Sequence, residues 1–485
     1  MILSEMLRRG EAMHEELGRE WYRAGAGLTE NPEFAAIYDR NADLQSDEAL
    51  ALARDSDDRA LLEWIVDVRI GRRVAPFEER QMRWEQQAMV DGPSTAVPYL
   101  RVPIVIANTT DRSARLQLDR ARVRVAAELV PLRRERLEQE HELLLSLVSA
   151  DDYVSAFSTI SGIDLDALGR EARAFLEGTS AMYDDSLARL ARRRLGVSLG
   201  QLERSDALWL FRVDRYDAGF PPAHMVAVAS AQMAEMGLDA TQGGRVVIDT
   251  AERERKQPRA FCVPVRVPDE VYLVLRPSGG HGDYRTFWHE LGHAMHFAAV
   301  DPTLPFSARW LGDNSVTEGF AMLWDHLTIS SHWLQRYTEL SPADRADLVF
   351  ELAVSELFMA RRYAAKLNYE LELHRSGVEG AEDRYDEWLS EATRFRYDGA
   401  DALLDLDFGF YAARYLRAWQ LEAALANMLV SRFDVQWFRR AEAGAVVLDL
   451  MRRGQASAAD ELADTATGQS LSFAPVVTRM EHVLD

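Results

Sequence analysis

From about residue 111 to 150, Leu116, Leu118, Val123, Val125, Leu129, Leu132, Leu137 and Leu143 recur at mixed three- and four-residue steps among arginines and glutamates. That is the spacing of an amphipathic helix. The same texture fills most of the chain, and a sequence of this kind must bury helix against helix, so a mainly α fold is expected. The 111–150 stretch suits a long helical hairpin with its charges on a solvated face. Further helical runs are expected over about 165–195 and 205–237, the second broken near Gly219-Phe-Pro-Pro222. The texture changes at Arg245–Asp249, Phe261–Val267 and Val271–Arg276, which are short and rich in β-branched residues, and a small antiparallel sheet is expected there. Helix resumes at Asp283, which follows Gly279-Gly280-His281-Gly282 and is placed to serve as an N-cap. A lobe boundary near 200, without a Pro/Gly/Ser-rich linker, divides an N-terminal helical lobe, 1–200, from a second lobe, 201–485.

Composition narrows the partners. The 56 basic and 78 acidic residues leave a net charge of -22, which repels phosphate backbones and anionic lipid. Neither nucleic acid nor a membrane surface is therefore an expected partner. No run of 18 or more apolar residues is present. The single cysteine, Cys262, cannot form an intramolecular disulfide, and the opening residues carry charges where a signal peptide needs an apolar stretch. These features lead to the expectation of a soluble, cytoplasmic protein.

One segment carries chemistry. His289-Glu290-Leu-Gly-His293 matches H-E-x-x-H, which sets two imidazoles one turn apart on one helix face with a carboxylate beside them. With 11 histidines in 485 residues, about two chance matches are expected per hundred such chains. Phe287, Trp288, Leu291, Ala294 and Met295 surround the pair, so the helix is expected to be largely buried. Burying two histidines and a glutamate is costly unless something pairs with them, and one Zn2+ ion suits imidazole nitrogen. His296 shares the face but lies about 10.5 Å along the axis from His289, too far for both to bind one ion; it is read as a supporting neighbour or as helix packing. The third ligand is expected from Glu318, although Ser315-x-x-Glu318 is also a capping-box pattern. Asp325, two turns further on, is placed to orient a ligand histidine. Such a site activates water for amide hydrolysis, with Glu290 as general base.

The stretch Asp283-Tyr-Arg-Thr-Phe-Trp-His-Glu-Leu-Gly-His-Ala-Met-His296 resembles the zinc-site helix of the thimet oligopeptidase and oligoendopeptidase F family of zinc metallopeptidases, and the interval to Glu318 is similar to that family's. Residues 249–262 resemble the strand and loop before that helix, and Gly409-Phe-Tyr411-Ala-Ala-Arg-Tyr415 resembles the family's glycine- and tyrosine-rich segment. The similarity covers about 205–425. It implies a mainly α, bilobed, zincin-like body with a deep channel, in which 201–485 is the catalytic lobe and short peptides are the substrates. It further implies that His289, His293 and Glu318 bind zinc, that Glu290 is the base, and that Tyr411, with Tyr415 beside it, donates to the oxyanion or substrate. An edge strand within 261–276 would hold an extended peptide by backbone pairing.

The chain departs from the family pattern at Leu406, where a histidine is usual, and at Ala418, where a second tyrosine is usual. Tyr415 either compensates or is a core residue. The alternatives that remain open are a zinc carboxypeptidase or aminopeptidase, and a non-catalytic zinc- or peptide-binding homologue.

Overall fold

The computed structural model describes residues 1–257 and 259–484. Helix accounts for 72% and strand for 5%, which makes the protein mainly α with small sheets. The helices used below are α1 (Leu3–Gly25), α2 (Arg112–Ala126), α3 (Val130–Leu147), α4 (Leu165–Leu195), α5 (His281–Ala299), α6 (Asn314–Asp325) and α7 (Tyr411–Phe433). Among the described residues no helix is long and apolar enough to cross a membrane.

The chain divides into two compact units, each assembled from segments distant in sequence. One comprises Met1–Ile65, Asp214–Val349 and Arg417–Val476; the other comprises Val66–Val213, Phe350–Leu416 and the residues from Val477 onward.

In the second unit, α4 spans the helix expected over 165–195. The Asp164 side chain accepts from Ala167 N–H at 2.8 Å, and Gly196 closes the helix in the left-handed conformation after three arginines. The expected hairpin over 111–150 does not form. Ala126, Ala127, Leu129 and Val130 all keep right-handed helical dihedrals, so α2 runs through a single 3₁₀ turn into α3. Pro131 removes one backbone donor and interrupts the α ladder there, and no left-handed residue reverses the chain. Nor are the charges of this stretch all solvated. Arg115, Arg122, Arg133, Arg136 and Glu140 are buried, and pairing makes that tolerable. Arg115 donates to Asp206 at 3.0 Å, and Arg122 forms a fork with Asp401 at 2.8 and 2.6 Å.

The first unit holds a three-stranded sheet of β1 (Val246–Asp249), β2 (Phe261–Arg266) and β3 (Glu270–Val274) in the order β1-β3-β2. β2 and β3 form the expected antiparallel pair, with Cys262 opposite Leu273. The expectation of an all-antiparallel sheet is corrected by β1, which pairs parallel to β3. The chain leaves β1, crosses over and enters β2 in the opposite direction, so the return strand β3 runs alongside β1 in the same sense. Lys256 anchors this crossing. Its buried ammonium donates to the Asp249 carbonyl at 2.7 Å, the Asp249 carboxylate at 3.1 Å and the Ala251 carbonyl at 3.0 Å.

Two glycines set how closely helices approach. A Cβ on Gly18 of α1 would lie 2.7 Å from the Pro264 carbonyl oxygen of β2, and one on Gly292 of α5 would lie 2.6 Å from Ala321 Cα of α6. The second approach brings the histidines of α5 to the glutamate of α6.

Candidate metal centre

Helix α5 begins two residues before the expected N-cap, after Gly280 at φ +87°. Asp283 therefore lies in the first turn, where its carboxylate accepts from Ser278 and Gly279 N–H at 2.7 and 2.8 Å and fastens the entering loop. One face of α5 is sealed by Tyr284, Phe287, Trp288, Leu291, Ala294, Met295 and Ala298, all at most 1% exposed. Trp288 donates to Gln232 at 2.8 Å, which satisfies its indole inside that core. Helix α6 is buried from Ser315 to its last residue, Asp325. Its N-terminus is capped by Asp313, which accepts from Ser315 N–H at 2.9 Å, so the capping-box alternative for Glu318 is not used.

Three donors converge where these helices meet. His289 Nε2 and His293 Nε2 are 3.2 Å apart, and Glu318 Oε2 lies 3.3 Å from the first and 3.6 Å from the second. Donors bound tetrahedrally at about 2.1 Å are separated by about 3.4 Å, so the observed triangle fits a single small cation. Among the described residues this is the group of His, Cys, Asp or Glu side chains that can hold a metal ion.

The far sides of both rings are held. His289 Nδ1 lies 2.8 Å from Asp325 Oδ2, and His293 Nδ1 lies 2.9 Å from Thr317 Oγ1. Each imidazole is thereby turned so that Nε2 faces the triangle. Asp325 is held in turn, with Arg285 at 3.4 Å and His326 Nε2 at 3.6 Å, while the other nitrogen of His326 lies 2.8 Å from Glu422. His296 takes no part. It is wholly buried, packs against Phe297 and Phe320, and pairs with the Gly454 carbonyl at 3.3 Å.

Electrostatics follow from burying these groups together. Burial alone would lower the His289 pKa, but the Asp325 and Glu318 carboxylates outweigh it and carry the imidazole up to about 10. Burial would raise Glu318, yet His293 and His289 hold its carboxyl well below the ordinary range. The site is thus a strong trap for positive charge. Glu290 differs: burial pushes its pKa above the usual glutamate value, against the pull of His293 and His289. Its Oε2 accepts from Cys262 N–H of β2 at 2.8 Å, which ties the carboxylate to the sheet.

Tyr411 and Tyr415 belong to the second unit, at the start of α7. Tyr415 stacks on Tyr363 at 5.1 Å between ring centroids and meets Tyr411 at 5.0 Å, and Tyr411 is 37% exposed. Leu406 and Ala418 are both buried.

Thr317, Arg285, His326 and Glu422 were not identified from sequence. Thr317 had a faint signal as a polar residue next to the expected ligand. Glu422 had none, because its role depends on a contact nearly a hundred positions away. No protein-family model matches this chain, and no curated protein matches it.

Proposed function

We propose that this chain is a zinc-dependent oligopeptidase that hydrolyses short peptides in the cytoplasm. The observation that carries the reading is the Nε2–Nε2–Oε2 triangle of His289, His293 and Glu318, with both imidazoles oriented from behind and a carboxylate, Glu290, adjacent in sequence to the first ligand. The paired nitrogens and single carboxylate suit zinc among the divalent metals. Bound zinc supplies a Lewis acid and an acidified water.

The remaining work falls to residues of this chain. Glu290, raised by burial and held by Cys262 N–H, accepts a proton from the attacking water and returns it to the leaving amine. Asp325 and Thr317 keep the ligand rings in register. A zincin-like helical fold belongs to this reading; it is supported by the high helix content and by the small sheet that touches Glu290 through Cys262. Tyr411 and Tyr415 enter as oxyanion or substrate donors through the family resemblance, and the partial exposure of Tyr411 makes it the more accessible phenol.

The test is zinc analysis combined with mass spectrometry of a digested peptide library, run on wild type and Glu290→Gln. Zinc bound by both proteins, with cleavage by wild type alone, supports the reading. Leu406 and Ala418, buried apolar residues that supply no side-chain donor, favour a second reading as a zinc-holding peptide binder; zinc-loaded wild type that cleaves nothing would select it.

A further inference from the structure

A cavity of about 460 Å³ lies between α1 and β2, within the first unit, and no step of the proposed hydrolysis uses it. Its walls include Leu17, Trp21, Phe261, Val263, Pro264 and Trp310. Among its lining residues there is no aspartate, glutamate, lysine or arginine, a departure for a chain with a net charge of -22. His14 also lines it, and burial lowers that imidazole to about 4, so the ring is neutral at physiological pH. The volume falls in the range of pockets that enclose small ligands, and an uncharged, aromatic-lined wall accepts an apolar group and rejects an acid.

Its position joins it to the metal centre. Cys262 lines the cavity, and the N–H of the same residue holds the Glu290 carboxylate at 2.8 Å. The strand that lines the cavity is therefore also the strand that holds the base. Gly18 and Pro264 both line it, and the absence of a side chain on Gly18 lets α1 pass close to the Pro264 carbonyl, 2.7 Å from where a Cβ would stand.

We infer that this cavity is a specificity pocket that receives one bulky apolar or aromatic side chain of the peptide, near the bond to be cut. The inference rests on the peptidase reading. Binding and turnover are therefore measured separately.

Isothermal titration of zinc-loaded, full-length Glu290→Gln protein with two blocked peptides, identical except for one phenylalanine-to-glycine exchange, tests the pocket directly. The phenylalanine peptide should bind at least about tenfold more tightly, as expected for burying an aromatic ring. Trp21→Ala in the same background should remove most of that preference without weakening the glycine peptide. Trp21 is 52% exposed, so its truncation leaves the core intact. Gln257→Glu, at the exposed lip, provides an independent variant and should also weaken only the phenylalanine peptide. Equal binding of the two peptides, binding of neither, or an equal loss for both in the variants overturns the pocket. Cleavage of both peptides by wild type at equal kcat/KM would likewise remove the pocket and leave the peptidase reading standing. A phenylalanine preference in binding with no cleavage by wild type would do the reverse.

Discussion

Asp325 Oδ2 lies 2.8 Å from His289 Nδ1, on the side of the ring away from the metal-binding triangle. The carboxylate comes from the last turn of α6 and the imidazole from the middle of α5, so this one contact fixes both the tautomer of a ligand and the seam between two helices. Asp325→Asn keeps the shape and removes the charge. It should weaken zinc binding by about 10- to 100-fold, measured by competition with a chromogenic chelator. An unchanged affinity would show that His289 is oriented by something else.

The approach of α5 to α6 depends on Gly292. A methyl group there would meet Ala321 Cα and the Trp324 ring at 2.6 Å and the Phe320 carbonyl at 2.9 Å. Neither backbone can yield without moving Glu318 relative to the histidines. Gly292→Ala should therefore cost about 1–3 kcal/mol from overpacking, despite its better helix propensity, and lower both Tm and zinc affinity. A stabilised variant with normal zinc binding would contradict the packing described here.

Zinc binding should be proton-linked. With the donors alone, His289 holds its proton up to about 10, and the ion must displace that proton. Affinity should then rise with pH through neutrality, by close to tenfold per unit for one proton released. Calorimetry in buffers of different ionisation enthalpy counts that proton directly, and a count of zero would refute the linkage.

Acid should destabilise the fold through histidines buried neutral. Burial lowers His14 to about 4 and His296 to about 3, while an unfolded histidine titrates near 6.5. Above about pH 6.5 both states are neutral and the stability is fully present. As pH falls below 6.5 the unfolded chain takes up protons first, and each group costs about 1.4 kcal/mol per pH unit until its folded value is reached. Tm measured between pH 7 and 4.5 should fall steadily, and His14→Leu should flatten the slope. A profile identical to wild type would remove His14 from this account.

The site was more legible than the fold around it. His289, His293 and Glu290 share one helical repeat, so local spacing alone placed them side by side, and Glu318 and Asp325 could be added because α6 is the next long helix after α5, across a connection that holds only the short helix Phe306–Trp310. The strand segments were visible in their β-branched content, but their order was not, since pairing β1 with β3 depends on a crossing anchored by Lys256. The reversal expected in 111–150 failed because a proline can interrupt a helix without turning the chain. Its arginines were read as solvated because Asp206 and Asp401, which pair with them, lie far along the chain. The uncharged cavity beside β2 left no trace in local sequence, because α1 and β2 are separated by more than two hundred residues.

Anomalous diffraction recorded on either side of the zinc absorption edge, from crystals grown with one equivalent of zinc, tests the central claim most directly. The account predicts a single strong peak about 2.1 Å from His289 Nε2, His293 Nε2 and a Glu318 carboxylate oxygen. A peak elsewhere, or none with the three side chains ordered as described, would contradict it.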